Sequence, residues 1–191
     1  MFRSFNSALT LGAIAAAVCA FVQPAHAVVL TEGSFTPLPG TTSAAEPFLA
    51  GTVLADVLTP FSFSAYGGTV SGTVQSRVVR ETGSGTLDFY WRVSSDAASS
   101  GNIGSFRIGK FYTTTYDANY RTDGLGNTAP INAYLFGAPF TGYLNYNFAN
   151  DGRGGLAAGD SSYFMFLHTD ATSFSQSAIY DLKIGRASCR E

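Results

Sequence analysis

Apolar and polar positions alternate with a period of two through the middle of the chain. The stretch Thr69-Val-Ser-Gly-Thr-Val-Gln-Ser-Arg-Val-Val-Arg80 places Val70, Gly72, Val74, Ser76 and Val78 on one face. In Thr86 to Val93, Leu87, Phe89, Trp91 and Val93 fall inward, and Thr86, Asp88, Tyr90 and Arg92 outward. This pattern predicts two half-buried strands. Between them, Glu81-Thr-Gly-Ser-Gly85 has the two glycines that a hairpin loop uses for positive φ.

Shorter stretches repeat the pattern at roughly ten-residue spacing. Gly51 to Leu58 reads as a strand or a short helical turn, ended by Pro60, and Phe61-Ser-Phe-Ser64 alternates after it. Ile103 to Lys110 and Phe111 to Tyr116 read as strands, or as one strand bent at Gly109. Tyr143 to Phe148 puts Leu144, Tyr146 and Phe148 on one side. Ser162 to Thr169 reads as a buried strand, and Ala178 to Leu182 as a last one. Asp117 to Pro130 is rich in turn chemistry and is expected to be the longest irregular stretch. No segment of ten or more residues beyond the first 27 has helical periodicity. The expected fold is all-β, a two-sheet β-sandwich of jelly-roll-like or immunoglobulin-like kind.

The two ends break this pattern. Arg3, the apolar run Leu9 to Val22 and the small-x-small site Ala25-His-Ala27 describe a cleavable signal peptide over 1–27, with Ala25 and Ala27 marking the signal cleavage site. Residues 184–191, Ile-Gly-Arg-Ala-Ser-Cys-Arg-Glu, look like a sequencing adapter read in frame, so the domain is expected to span 28–183. Setting aside Arg3, Arg186, Arg190 and Glu191 moves the formal charge from -2 to about -4. That balance gives no reason to expect nucleic acid as a partner. The two cysteines, Cys19 and Cys189, go with the ends, leaving an exported domain held by its core alone.

Three blocks carry a family resemblance: Gly72 to Val93, Tyr120 to Pro130, and Ser161 to Ala171. Together they resemble the exported β domain of bacterial PEP-CTERM proteins, the cargo of the exosortase sorting system. The resemblance covers most of 28–183 and brings no catalytic residues with it. It implies export to the envelope or extracellular matrix of a Gram-negative bacterium, in company with exopolysaccharide. It also implies processing by signal peptidase, and by the exosortase once the native C-terminus is restored. The Pro-Glu-Pro motif, apolar helix and basic tail of that family are missing from this sequence.

Residues that could carry chemistry are sparse. His168 alternates with Phe164 and Phe166 and reads as a strand histidine near the sheet edge. Asp88 and Arg92 are expected to make cross-strand pairs with Arg77. Asp117, Asn119 and Asp123 offer oxygen ligands that suit calcium. Tyr143, Asn145 and Asn147 share one side of their strand, where a polar sugar-binding strip would lie. Gly124-Leu-Gly-Asn-Thr-Ala129 fits a dinucleotide fingerprint only superficially, with no βαβ context. The function expected is therefore non-enzymatic, with no cofactor. A carbohydrate-binding or adhesin module is the first alternative, and a polysaccharide-active enzyme working through Asp123 or Asp151 the second.

Overall fold

The computed structural model describes residues 27–65, 67–150 and 153–184. The expected signal peptide, apart from Ala27, and residues 185–191 lie outside them. The strands are β1 (Val28–Val29), β2 (Phe35–Pro37), β3 (Gly51–Ala65), β4 (Gly68–Glu81), β5 (Leu87–Ser95), β6 (Ile103–Gly109), β7 (Asp117–Arg121), β8 (Asn132–Leu135), β9 (Leu144–Asn147), β10 (Ala149–Asn150), β11 (Arg153–Gly154), β12 (Phe164–His168) and β13 (Ile179–Ile184). One 3-10 turn, Pro47–Leu49, interrupts them. Among the described residues no helix is long and apolar enough to cross a membrane.

Two antiparallel sheets pack face to face as a β-sandwich. One has six strands in the order β1-β7-β12-β5-β4-β3, the other five in the order β13-β6-β9-β8-β2. The β4–β5 hairpin is where the alternation placed it, with Val78 opposite Phe89 and Val74 opposite Val93. Gly85 takes φ +77 in the loop and Gly83 does not, so one left-handed residue closes the turn. Val70, Val74 and Val93 meet Phe106, Ile108, Leu144 and Tyr146 of the facing sheet in the dry centre. Tyr146 is fully buried there, and its hydroxyl donates to the Phe166 carbonyl at 2.6 Å, tying β9 to β12 across the two sheets.

Three elements differ from the sequence expectation. β3 runs unbroken through Pro60, which pairs with Thr73. An edge strand tolerates a proline whose missing N–H would have faced outward. Residues 111–116 form no strand, and Lys110, at φ +56, turns the chain out of β6. Asp117–Arg121, expected to be irregular, is instead a strand between β1 and β12. Ile184, the first residue of the expected read-through, is buried as the last residue of β13 and pairs with Ile103.

The outer face of the six-stranded sheet is not simply solvated. The Pro47–Leu49 turn lies over it, and Leu49 packs with Val79, Tyr90, Phe164 and Phe166 in a second, smaller apolar cluster. Residues assigned outward by alternation are thus buried as well: Tyr90 is 3% exposed and Asp88 0%.

Candidate functional site

Two places gather the polar and aromatic side chains that the core does not use. The first is the outer face of the five-stranded sheet. Its register sets Asp181, Arg107, Asn145, Tyr134 and Phe35 in one row across all five strands. The next row runs through Ser105, Asn147 and Asn132. Because side chains alternate, Leu144 and Tyr146 point into the core while Tyr143, Asn145 and Asn147 share the outer face. The Tyr143 ring lies against Gly109 of β6, at a position where a Cβ would stand 2.4 Å from the ring.

Aromatic rings continue this face. Phe35 and Tyr134 are 4.7 Å apart between centroids, and Tyr134 and Phe136 4.8 Å. Phe136 to Phe140 is 6.4 Å and Phe140 to Tyr143 6.2 Å, which makes a run of five rings. Phe35 is 67% exposed and Phe140 57%. Beside the rings, Asn147 donates to Asn132 at 2.7 Å, Arg107 holds Asp181 at 2.8 Å, and the buried Asn145 Oδ1 has no hydrogen-bond partner among the described residues. Of this face, Tyr143, Asn145 and Asn147 are visible from their own strand. Phe35, Arg107 and Asn132 join through strand pairing, and Phe136 and Phe140 through ring contacts in the connection between β8 and β9.

The second place is on the other sheet, around His168. β12 is an interior strand, so His168 sits at a strand end between β5 and β7 and not at the sheet edge. It pairs with Asp88 on one side and Asp117 on the other. Its Nδ1 is 2.9 Å from Asp88 Oδ1 and 2.9 Å from Glu81 Oε1. Phe48 covers the imidazole at 4.3 Å between centroids. Burial pushes the Asp88 carboxyl up to about 6, against the hydrogen bond from His168. The same bond raises His168 above the ordinary histidine value, against its own burial. Asp88 therefore pairs with His168, and Arg77 pairs with Asp56 at 2.7 Å, in place of the expected Asp88–Arg77 contact. Arg92 lies over the Phe164 ring. The sequence missed Glu81 because it reads as part of a loop, and nothing local shows that it is buried.

The calcium candidates point to different partners. Asn119 Oδ1 accepts from Gly40 and Tyr120 N–H. Asp123, past the end of β7, takes two hydrogen bonds from Arg121 and two from Ser43. Burial raises the Asp123 pKa, but these bonds outweigh it and hold the carboxyl well below the usual carboxylate range. Asp117 lies two residues before Asn119 on the outer face of β7, beside His168. Other acids make structural bonds: Asp96 accepts from Ser71, Asp160 from Asn127 and Asp170 from Thr114. Asp151 lies outside the described residues. No family model matches the chain, and no curated protein or solved structure is similar to it.

Proposed function

We propose that the protein is an exported, non-enzymatic component of the cell envelope or extracellular matrix that holds polysaccharide on the outer face of its five-stranded sheet. The run of five rings from Phe35 to Tyr143, bordered by Asn132, Asn145, Asn147 and Arg107, carries this reading. Sugar rings present apolar C–H faces that stack on exposed aromatics, and hydroxyls that pair with amides and guanidinium groups. An open strip suits a long polymer better than a small substrate, which binds in a concave site.

Export is supported by the leader-like first 27 residues, and exosortase sorting by the three sequence blocks. The binding claim is tested by passing the purified protein over insoluble and immobilised polysaccharides, neutral and acidic. Retention on at least one polymer, lost in Tyr143→Ala, supports the proposal. Turnover of the polymer that disappears in Asp123→Asn would instead favour an enzyme. The sorting claim is tested separately by long-read sequencing of the gene across Leu182 and Lys183. A frame that continues into Pro-Glu-Pro and an apolar helix supports it, and a native Ile-Gly-Arg-Ala-Ser-Cys-Arg-Glu ending refutes it.

A further inference from the structure

Glu81, Asp88 and His168 converge at the end of the six-stranded sheet, each offering a ligand atom within 4.8 Å of the others', and His168 Nδ1 stands 2.9 Å from both Glu81 Oε1 and Asp88 Oδ1. They come from the end of β4, the start of β5 and the end of β12, three adjacent strands. The hairpin loop fixes Glu81, because Ser84 Oγ donates to its Oε2 at 2.5 Å. The other oxygen, Oε1, is thereby turned toward His168. That oxygen is buried, the Glu81 side chain is 3% exposed, and among the described residues Oε1 accepts no hydrogen bond although it lies 2.9 Å from His168 Nδ1. Nδ1 can give one hydrogen, and Asp88 Oδ1, at the same distance, receives it. Two buried carboxylates thus share the single Nδ1 hydrogen, an arrangement that a bound cation satisfies fully.

We propose that Glu81, Asp88 and His168 bind a divalent transition-metal cation, with zinc the best match to the donors. An imidazole nitrogen with two carboxylate oxygens suits zinc, whereas calcium and magnesium take oxygen alone. Zinc ligands at about 2.0–2.2 Å set tetrahedral edges of roughly 3.4 Å, so the two 2.9 Å separations open slightly and the carboxylates draw in by small rotamer changes. Asp117, across the strand pair from His168, adds negative charge beside the site. Phe48 shields one side of the imidazole, and the His168 side chain, 29% exposed, leaves a path for the ion and a water ligand.

The test is equilibrium dialysis of the chelator-stripped full chain against Zn²⁺, with metal analysis, and Co²⁺ as a spectroscopic stand-in. One Zn²⁺ per chain is expected, with d–d absorption for Co²⁺ and with His168 ring resonances that shift to an endpoint at one equivalent. Glu81→Gln, which keeps the side-chain size, should weaken binding at least tenfold, whereas Asp181→Asn on the opposite sheet should leave it unchanged. A wild-type chain that takes up well under one equivalent overturns the proposal. So does a folded Glu81→Gln or His168→Gln variant that binds like the wild type. The wild-type stoichiometry and His168 resonances decide the matter even if a variant fails to fold.

Discussion

Replacing Tyr146 by Phe removes one oxygen from the centre of the sandwich and tests how the two sheets are held in register. The hydroxyl is fully buried and donates to the Phe166 carbonyl at 2.6 Å. A buried hydrogen bond of this kind contributes about 1 kcal/mol net, and more only where its loss orphans a partner. Phe166 belongs to β12, which is flanked by β5 and β7, so its backbone lies within a two-sided ladder. The expected loss is therefore about 1–1.5 kcal/mol. For a domain of this size that corresponds to a fall in Tm of roughly 2–6 °C. Leu144→Ala, one residue pair away and also fully buried, should cost about 2–5 kcal/mol, because it deletes packed methyl groups and leaves a cavity. Urea denaturation of the two variants beside wild type measures both, and the m-value should not change. A Tyr146→Phe variant as stable as wild type, or less stable than Leu144→Ala, refutes this ordering of hydrogen bond and packing.

Two further outcomes follow from the geometry. In Gly109→Ala, the new Cβ meets the Tyr143 ring, so the ring must leave its seat on β6; polysaccharide retention should fall several-fold while the far-UV spectrum stays unchanged. Asp123 has a folded pKa depressed below its unfolded value, so it contributes stability that is present above about pH 4 and lost on further acidification. The fall in stability between about pH 5 and pH 2 should be shallower in Asp123→Asn than in wild type; parallel curves would show that Arg121 and Ser43 do not act through that carboxylate.

The elements most legible in the sequence are those whose residues follow a strand pattern, either alternating or continuously apolar. β4, β5 and β9 alternate apolar and polar residues and β12 is a continuous apolar run, and the all-β sandwich follows from them. β7 alternates too, with Ala118 and Tyr120 between Asp117, Asn119 and Arg121, but its Asp and Asn read as turn residues. Asn119 is nevertheless 0% exposed, since its side chain anchors the passing Gly40 backbone. Turn-forming residues were there serving as attachment points within a sheet. Pro60 misled for a related reason: only the knowledge that β3 is an edge makes a proline acceptable inside a strand.

The candidate sites divide in the same way. Tyr143, Asn145 and Asn147 could be grouped because they lie on one strand. Phe35 and Tyr134 are paired by register alone, and Arg107 and Asp181 likewise. At the His168 cluster, strand alternation accounts for the histidine's face. What it does not show is that the Pro47–Leu49 turn folds back over that face, with Phe48 against His168, or that Asp88 and Glu81 are buried.

The central claim, that the five-stranded face holds polysaccharide, is tested most directly by affinity electrophoresis through gels containing the best-retained polymer. The comparison is between wild type and a Tyr134→Ala/Tyr143→Ala double variant, with amide resonances of Asn132, Asn145 and Asn147 followed as an oligosaccharide of that polymer is added. The account predicts retardation of wild type, migration of the folded double variant as in a polymer-free gel, and shifts in those three side-chain amides. Equal retardation of both proteins, or shifts confined to other parts of the molecule, would contradict it.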